Sequence, residues 1–127
     1  MTPFEVAAAG RTRIKICGLT REQDVDAAVA AGVDAIGFVR YPKSARLVSI
    51  DRAVELARRL PPFVTPVLLY VNADARQVRD ESSRLGLSLV QFHGDETPAQ
   101  CLDATGGGAR AFLRAARIPL GPEAAAF

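Results

Sequence analysis

The sequence has few of the residues that build disulfide, metal or redox sites. It contains two cysteines, one histidine and one methionine among its 127 residues, and no tryptophan. Cys17 and Cys101 are too few for a disulfide framework, and together with His93 they lack the close spacing of metal ligands. We therefore expect no metal site, and we expect both thiols to stay reduced in the cytoplasm.

The sequence also lacks a strong charge imbalance and a long apolar run. The formal net charge is +2, and no basic run exceeds Arg58-Arg59, which argues against a nucleic-acid partner. No apolar segment approaches the roughly 20 residues of a transmembrane helix. Residues 1–12 are interpreted as an N-terminal extension, because they lack the basic and apolar regions of a secretory signal. We expect no membrane partner.

What the sequence does contain is the composition of an ordinary globular domain. Hydrophobic residues make up 49% and charged residues 24% of the chain, and this balance is typical of folded proteins. A length of 127 residues is enough for one domain with a sizeable core. We assign that domain to residues 13–127.

Apolar runs and amphipathic helical patterns alternate along this domain. The predicted strands cover residues 14–17, 34–39, 65–71, 87–92 and 111–116. The third run is apolar at nearly every position, as expected of a strand that is buried on both faces. The alternation therefore predicts parallel strands covered by helices.

The helices between these strands have recognisable starts. Thr20 with Gln23 has the spacing of a capping box, and Ser49 and Thr97 stand at predicted N-cap positions. Pro98 would occupy the first helical position, which favours proline. The predicted stops are Gly32, Pro61-Pro62, Gly86 and the triple glycine at 106–108.

Two architectures accommodate five βα units of this length. One is a flavodoxin-like doubly wound sheet, and the other is the first part of an eight-unit (β/α)₈ barrel. The hydrophobic periodicity is the same in both, so it does not choose between them.

Polar side chains follow the predicted strands at their carboxyl ends, where α/β folds carry their chemistry. These residues are Cys17, Arg40 with the loop to Arg46, Asn72, His93 and Arg114. A phosphoacceptor domain would need carboxylates after the first and third strands to hold a divalent cation, and the sequence has none there. A thiolate can instead remove a proton from carbon, and a guanidinium can hold a carboxylate.

Each of these residues also has a simpler structural explanation when it is taken alone. Cys17 could be a buried core residue, and we interpret Cys101 in that way because its helix neighbours are apolar. Arg46 could be a solvated loop charge, and Asn72 could be a turn former. His93 could make only a backbone hydrogen bond where its helix begins.

Four separated segments together carry a family resemblance. They are Lys15 to Thr20, Gly37 to Arg46, Val71-Asn72, and Gln91 to Glu96 followed by Pro98. In this order and at this spacing, from about residue 13 to residue 118, they resemble the phosphoribosylanthranilate isomerases. These are (β/α)₈-barrel enzymes of tryptophan biosynthesis.

The resemblance implies an Amadori rearrangement without a cofactor. The implied partner is a small phosphorylated substrate, N-(5'-phosphoribosyl)anthranilate, which becomes 1-(2-carboxyphenylamino)-1-deoxyribulose 5-phosphate. Cys17 matches the family's general base, Arg46 matches the residue that holds the anthranilate carboxylate, and His93 matches a residue that lines the pocket. A thiol has an ordinary pKa of about 8.5, so its surroundings must favour the thiolate.

The resemblance also implies what these 127 residues leave out. In the family the general acid is an aspartate after the sixth strand, and loops after the seventh and eighth strands hold the phosphate. We therefore expect an incomplete (β/α)₈ barrel of about five βα units over residues 13–127, inactive on its own. The alternative is a non-catalytic half-barrel that self-associates through exposed sheet edges or docks a complementary fragment.

Overall fold

A computed structural model of the protein describes residues 10–86 and 88–121. Within these residues, five strands alternate with four helices. Their bounds in chain order are β1 Lys15–Cys17, α1 Glu22–Ala30, β2 Ala35–Val39, α2 Ile50–Ala57, β3 Thr65–Tyr70, α3 Ala75–Leu85, β4 Leu89–Phe92, α4 Pro98–Ala104 and β5 Phe112–Arg114. Residues 1–9 of the predicted extension and 122–127 of the predicted domain lie outside this description.

The five strands form one parallel sheet in the order β1-β2-β3-β4-β5. This sequential order is that of a barrel wall, because each crossover adds its strand to the same growing edge. A flavodoxin-like sheet has the order 2-1-3-4-5 and reverses its direction after the second strand. The prediction of a parallel α/β fold of the barrel type is therefore confirmed, and the flavodoxin-like alternative is wrong.

One face of the sheet packs against all four helices. Side chains from this face and from the four described helices form a single buried cluster, which we call the helix-facing cluster. The strand residues of the cluster are Ile36, Phe38, Leu68, Tyr70, Val90 and Phe92. Because side chains alternate along a strand, the intervening residues point to the opposite side. We call that side the inner face, and its members include Lys15, Cys17, Ala35, Gly37, Val39, Val67, Leu69, Gln91 and Leu113.

Two of the predicted helix starts are confirmed. The Ser49 hydroxyl accepts a hydrogen bond from the Arg52 backbone N–H at 3.0 Å. Thr97 forms a complete capping box with Gln100. Each such cap satisfies a backbone N–H that the helix leaves without a partner, and this contributes about 1 kcal/mol.

The predicted capping box at Thr20 is wrong. Helix α1 begins at Glu22, and the preceding residue, Arg21, is extended and provides no side-chain cap. Thr20 lies one position before the N-cap residue. Its backbone carbonyl accepts a hydrogen bond from Arg52 of α2. A cap that the sequence analysis missed is Asp74, whose carboxylate accepts from the Arg76 and Gln77 N–H groups at the start of α3.

Several predicted strand limits were too generous. The second strand begins at Ala35, the third ends at Tyr70, and the fifth covers only Phe112–Arg114. Leu87, the predicted start of the fourth strand, lies outside the described residues. None of the helices within residues 10–86 and 88–121 has the length and apolar composition needed to cross a bilayer.

Candidate active site

Cys17 ends β1 on the inner face, at the carboxyl edge of the sheet. It is half-buried and lies outside the helix-facing cluster, so it is not the buried core residue that its alternative interpretation described. A Cβ atom on Gly37 of the neighbouring strand would lie 2.7 Å from the Cys17 Sγ atom. Glycine at position 37 therefore leaves the space that the thiol occupies.

Cys101 contrasts with Cys17. It is 1% exposed within α4 and belongs to the helix-facing cluster, as predicted for a core residue. Burial raises the pKa of the Cys101 thiol, and the nearby Glu96 carboxylate acts in the same direction. The two thiols therefore differ in accessibility, and only Cys17 can meet a molecule at the sheet edge.

Arg46 reaches Cys17 from the loop between β2 and α2. Its Nη1 donates a hydrogen bond to the Cys17 backbone carbonyl at 3.1 Å. The guanidinium lies over Gly18, where a Cβ atom would approach the Arg46 Cζ atom to 2.7 Å. Gly18 has a φ of +90°, a conformation that glycine adopts without strain. The structure thus brings the predicted arginine and the predicted cysteine together.

Arg40, another strand-end candidate, is committed to a buried network. Its Nε and Nη2 donate to the two carboxylate oxygens of Glu81 at 3.0 and 2.7 Å, and these side chains are 15% and 12% exposed. The Tyr70 hydroxyl and the Gln77 amide donate to the same carboxylate. Arg40 therefore holds α3 against β2 and β3 and is not available to a substrate.

Within this network, Glu81 and Tyr70 each affect the pKa of the other. Burial acts to raise the pKa of Glu81, but hydrogen bonds from Arg40, Tyr70 and Gln77 outweigh it and lower that pKa. Burial, followed by the adjacent Glu81 carboxylate, raises the pKa of Tyr70. Glu81 is thus held as a carboxylate and Tyr70 as a neutral phenol.

His93 follows β4 at the same carboxyl edge. Its side chain is exposed, and its backbone N–H donates to the Tyr70 carbonyl at 2.9 Å. Strands β2 and β3 separate it from Cys17 in the sheet. The structure therefore places His93 along the rim that carries Cys17 and Arg46, but not beside them.

The loop that carries His93 is braced by a residue that the sequence analysis did not single out. Glu96 is 8% exposed, and its two carboxylate oxygens accept hydrogen bonds from the Asn72 and Gly94 N–H groups, each at 2.8 Å. Arg114 donates to the backbone carbonyls of Gly94 and Glu96. The Asn72 side-chain oxygen accepts a hydrogen bond from the Asp95 N–H at 2.8 Å, so Asn72 and Arg114 both brace this loop. The sequence signal for Glu96 was an acidic residue two positions after Gly94, in the loop that follows the fourth strand.

A cavity of about 820 Å³ opens at the opposite, amino edge of the sheet. It contains none of the predicted site residues, so its size alone does not mark the site. Among its lining residues are Pro62, Phe63, Arg79, Ser83, Leu89 and Arg110. Within the part of the chain described, no three histidine, cysteine or acidic side chains are grouped to hold a metal ion.

Comparisons with known proteins all point to one family. The sequence model of the N-(5'-phosphoribosyl)anthranilate (PRA) isomerase family matches residues 14–113. The isomerase of Methylibium petroleiphilum is 63% identical over 111 residues, which cover 87% of this chain and 50% of that protein. The isomerase of Leptothrix cholodnii is 60% identical over 116 residues, covering 91% and 51%.

The solved structures give the same match. Phosphoribosyl anthranilate isomerase from Thermotoga maritima superposes with a TM-score of 0.77 at 36% identity, covering 82% of this chain and 50% of that one. A phosphoribosyl anthranilate isomerase in complex with reduced 1-(o-carboxyphenylamino)-1-deoxyribulose 5-phosphate gives the same score and identity, covering 82% and 53%. The chain spans about half the length of the curated relatives it matches.

Proposed function

Because this chain belongs to the N-(5'-phosphoribosyl)anthranilate isomerase family, we propose that it provides one half of such an isomerase. The proposed reaction is the conversion of N-(5'-phosphoribosyl)anthranilate to 1-(2-carboxyphenylamino)-1-deoxyribulose 5-phosphate in tryptophan biosynthesis. The observation that carries the proposal is the hydrogen bond from Arg46 to the Cys17 carbonyl at the open carboxyl edge. We place the enzyme in the cytoplasm, where free thiols stay reduced.

Cys17 is the proposed general base. Once the ribose ring has opened to a protonated Schiff base at C1', the thiolate removes the proton from C2'. The electron pair of that C–H bond becomes the C1'–C2' double bond, the Schiff-base nitrogen is neutralised, and sulfur holds the proton. A positioned base of this kind accelerates a reaction by about 10²–10⁴-fold.

Arg46 and His93 are the proposed substrate-binding residues. The Arg46 guanidinium can hold the anthranilate carboxylate with two parallel hydrogen bonds. Because it already lies against Cys17, a carboxylate on it would bring the attached sugar close to the thiol. His93 would line the pocket farther along the rim, on a loop whose backbone Glu96 fixes. The phosphate site and general acid would belong to the matching remainder of a full-length enzyme.

The test is a fusion enzyme in which this chain replaces the matching half of the Methylibium petroleiphilum relative. We expect the fusion enzyme to isomerise N-(5'-phosphoribosyl)anthranilate with a kcat/KM within about tenfold of that relative. The 127-residue chain alone should fall at least about 10³-fold lower, since the acid and the phosphate site contribute separately. A fusion enzyme that melts cooperatively but does not turn over would contradict the proposal, as would normal turnover by the chain alone.

The second candidate function is a half-barrel that associates with another copy through its sheet edges. Within the described residues, β1 pairs only with β2, and β5 pairs only with β4. Both edges carry apolar side chains that are partly exposed, Ile16 on β1 and Leu113 on β5. Edges of this kind, with unpaired backbone groups and apolar side chains, favour pairing with a second chain.

This candidate predicts a dimer or larger oligomer of the isolated chain in light scattering. Ile16→Lys and Leu113→Lys should shift the mass towards the monomer, because a lysine on an edge strand opposes pairing. Leu102→Lys is the matched control: Leu102 is similarly exposed but lies on α4, away from both edges. A monomeric wild-type chain at micromolar concentration would exclude edge-to-edge association.

A further inference from the structure

Lys15 is an unusual residue for the inner face of a barrel strand. The inner faces of β2 and β3 carry Val39, Val67 and Leu69, all buried, as barrel interiors generally do. The inner face of β1 carries Lys15 and Cys17 instead, both half-buried. A half-buried lysine that makes no ion pair within residues 10–86 and 88–121 is more informative than a fully exposed one.

The structure places the Lys15 ammonium next to the Cys17 thiol. A Cβ atom on Gly37 would lie 3.2 Å from Lys15 Nζ and 2.7 Å from Cys17 Sγ. Because both atoms are so close to one point, they lie within about 6 Å of each other, the range over which an opposite charge favours an ionised group. The absence of a side chain at Gly37 keeps the space between them open.

Among the residues that the structure describes, no carboxylate is paired with Lys15. The adjacent strand β2 presents only Ala35, Gly37 and Val39 on the inner face. The Arg46 guanidinium also lies near Cys17, but it donates its hydrogen bond to the Cys17 backbone carbonyl and not to the sulfur.

We propose that Lys15 is a positioning residue whose ammonium group stabilises the Cys17 thiolate across the gap left by Gly37. The inference rests on the proposed role of Cys17 as the base. It assigns to β1 both the sulfur that removes the proton and the charge that keeps this sulfur ionised. The physical cause is the Coulomb attraction between the two groups, which weakens from the protein interior towards bulk water.

The test measures thiolate formation without any turnover. Iodoacetamide reacts with the thiolate only, so the alkylation rate of Cys17, followed by mass spectrometry from about pH 6 to pH 10, reports its ionisation. Lys15→Met should slow the alkylation of Cys17 at pH 7 by about threefold to thirtyfold, because the thiolate loses a nearby positive charge. Lys15→Arg keeps the charge and should retain most of the wild-type rate.

Arg58→Met is the matched control, because it removes one exposed positive charge at the end of α2. It should leave the alkylation profile unchanged, and Lys15→Gln provides a second neutral variant if Lys15→Met does not fold. Profiles that coincide for the wild type and the neutral variants overturn the inference. Failure of the proposed function would be detected in a different experiment, the turnover of the fusion enzyme. In that case Cys17→Ser would not lower turnover, while Lys15→Met would still slow the alkylation of Cys17.

Discussion

Cys17→Ser in the fusion enzyme is expected to lower kcat by about 10²–10⁴-fold while leaving the melting temperature nearly unchanged. The hydroxyl of serine is far harder to ionise near neutrality than a thiol, so the base is lost although the side chain keeps its shape. We expect the substitution to change the stability of the fold little, because Cys17 is half-buried on the inner face and lies outside the helix-facing cluster. Steady-state kinetics with N-(5'-phosphoribosyl)anthranilate provide the measurement.

Cys101→Ser is the control for this substitution. It makes the same chemical change at a thiol that is buried in α4, so it should lower stability while kcat stays close to that of the unsubstituted enzyme. Burying a hydroxyl without a partner costs about 1–3 kcal/mol. Near-normal turnover by Cys17→Ser would remove Cys17 from its assigned role, whatever the behaviour of Cys101→Ser.

The fold was predictable from local patterns up to the point where its strands had to be ordered. Alternating runs gave the five strands, and polar side chains before helical patterns gave the caps at Ser49 and Thr97. Strand order depends on which elements meet in space, and the doubly wound sheet and the barrel share the same local pattern. Thr20 shows a local failure, since its spacing to Gln23 fits a capping box but the helix begins one residue later, with Arg21 at the N-cap position.

The location of the candidate site was predictable because parallel strands end at one edge. That rule places Cys17, Arg46 and His93 together on the carboxyl rim, and the structure shows the contact between the first two. It does not distinguish a substrate-binding arginine from a structural one. Arg40 also follows a strand, but its partner Glu81 is 41 residues away in the sequence. Only the folded chain reveals that pairing.

Glu81→Ala is expected to lower the free energy of unfolding by about 3–5 kcal/mol in urea denaturation of the fusion enzyme. The Glu81 carboxylate accepts hydrogen bonds from Arg40, Tyr70 and Gln77. Its removal would leave a guanidinium that is only 15% exposed without a counter-charge, and a buried phenol hydroxyl without its acceptor. The cost of those stranded groups exceeds the value of the ion pair itself.

Two control variants distinguish the effect of leaving Arg40 unpaired from the general effect of a substitution in α3. Asp80→Ala changes a neighbouring carboxylate that is 74% exposed, 3.9 Å from Arg76, and should cost less than about 1 kcal/mol. The double variant Arg40→Met with Glu81→Met should recover much of the lost stability, because it removes both charges and keeps apolar volume.

The pKa of Glu81 is lowered on folding. Its contribution to the free energy of unfolding is therefore fully present above the ordinary carboxyl pKa and is lost as the pH falls through the folded-state value. The stability difference between wild type and Glu81→Ala should therefore narrow in acid, and a constant difference would show that the carboxylate charge is not its source.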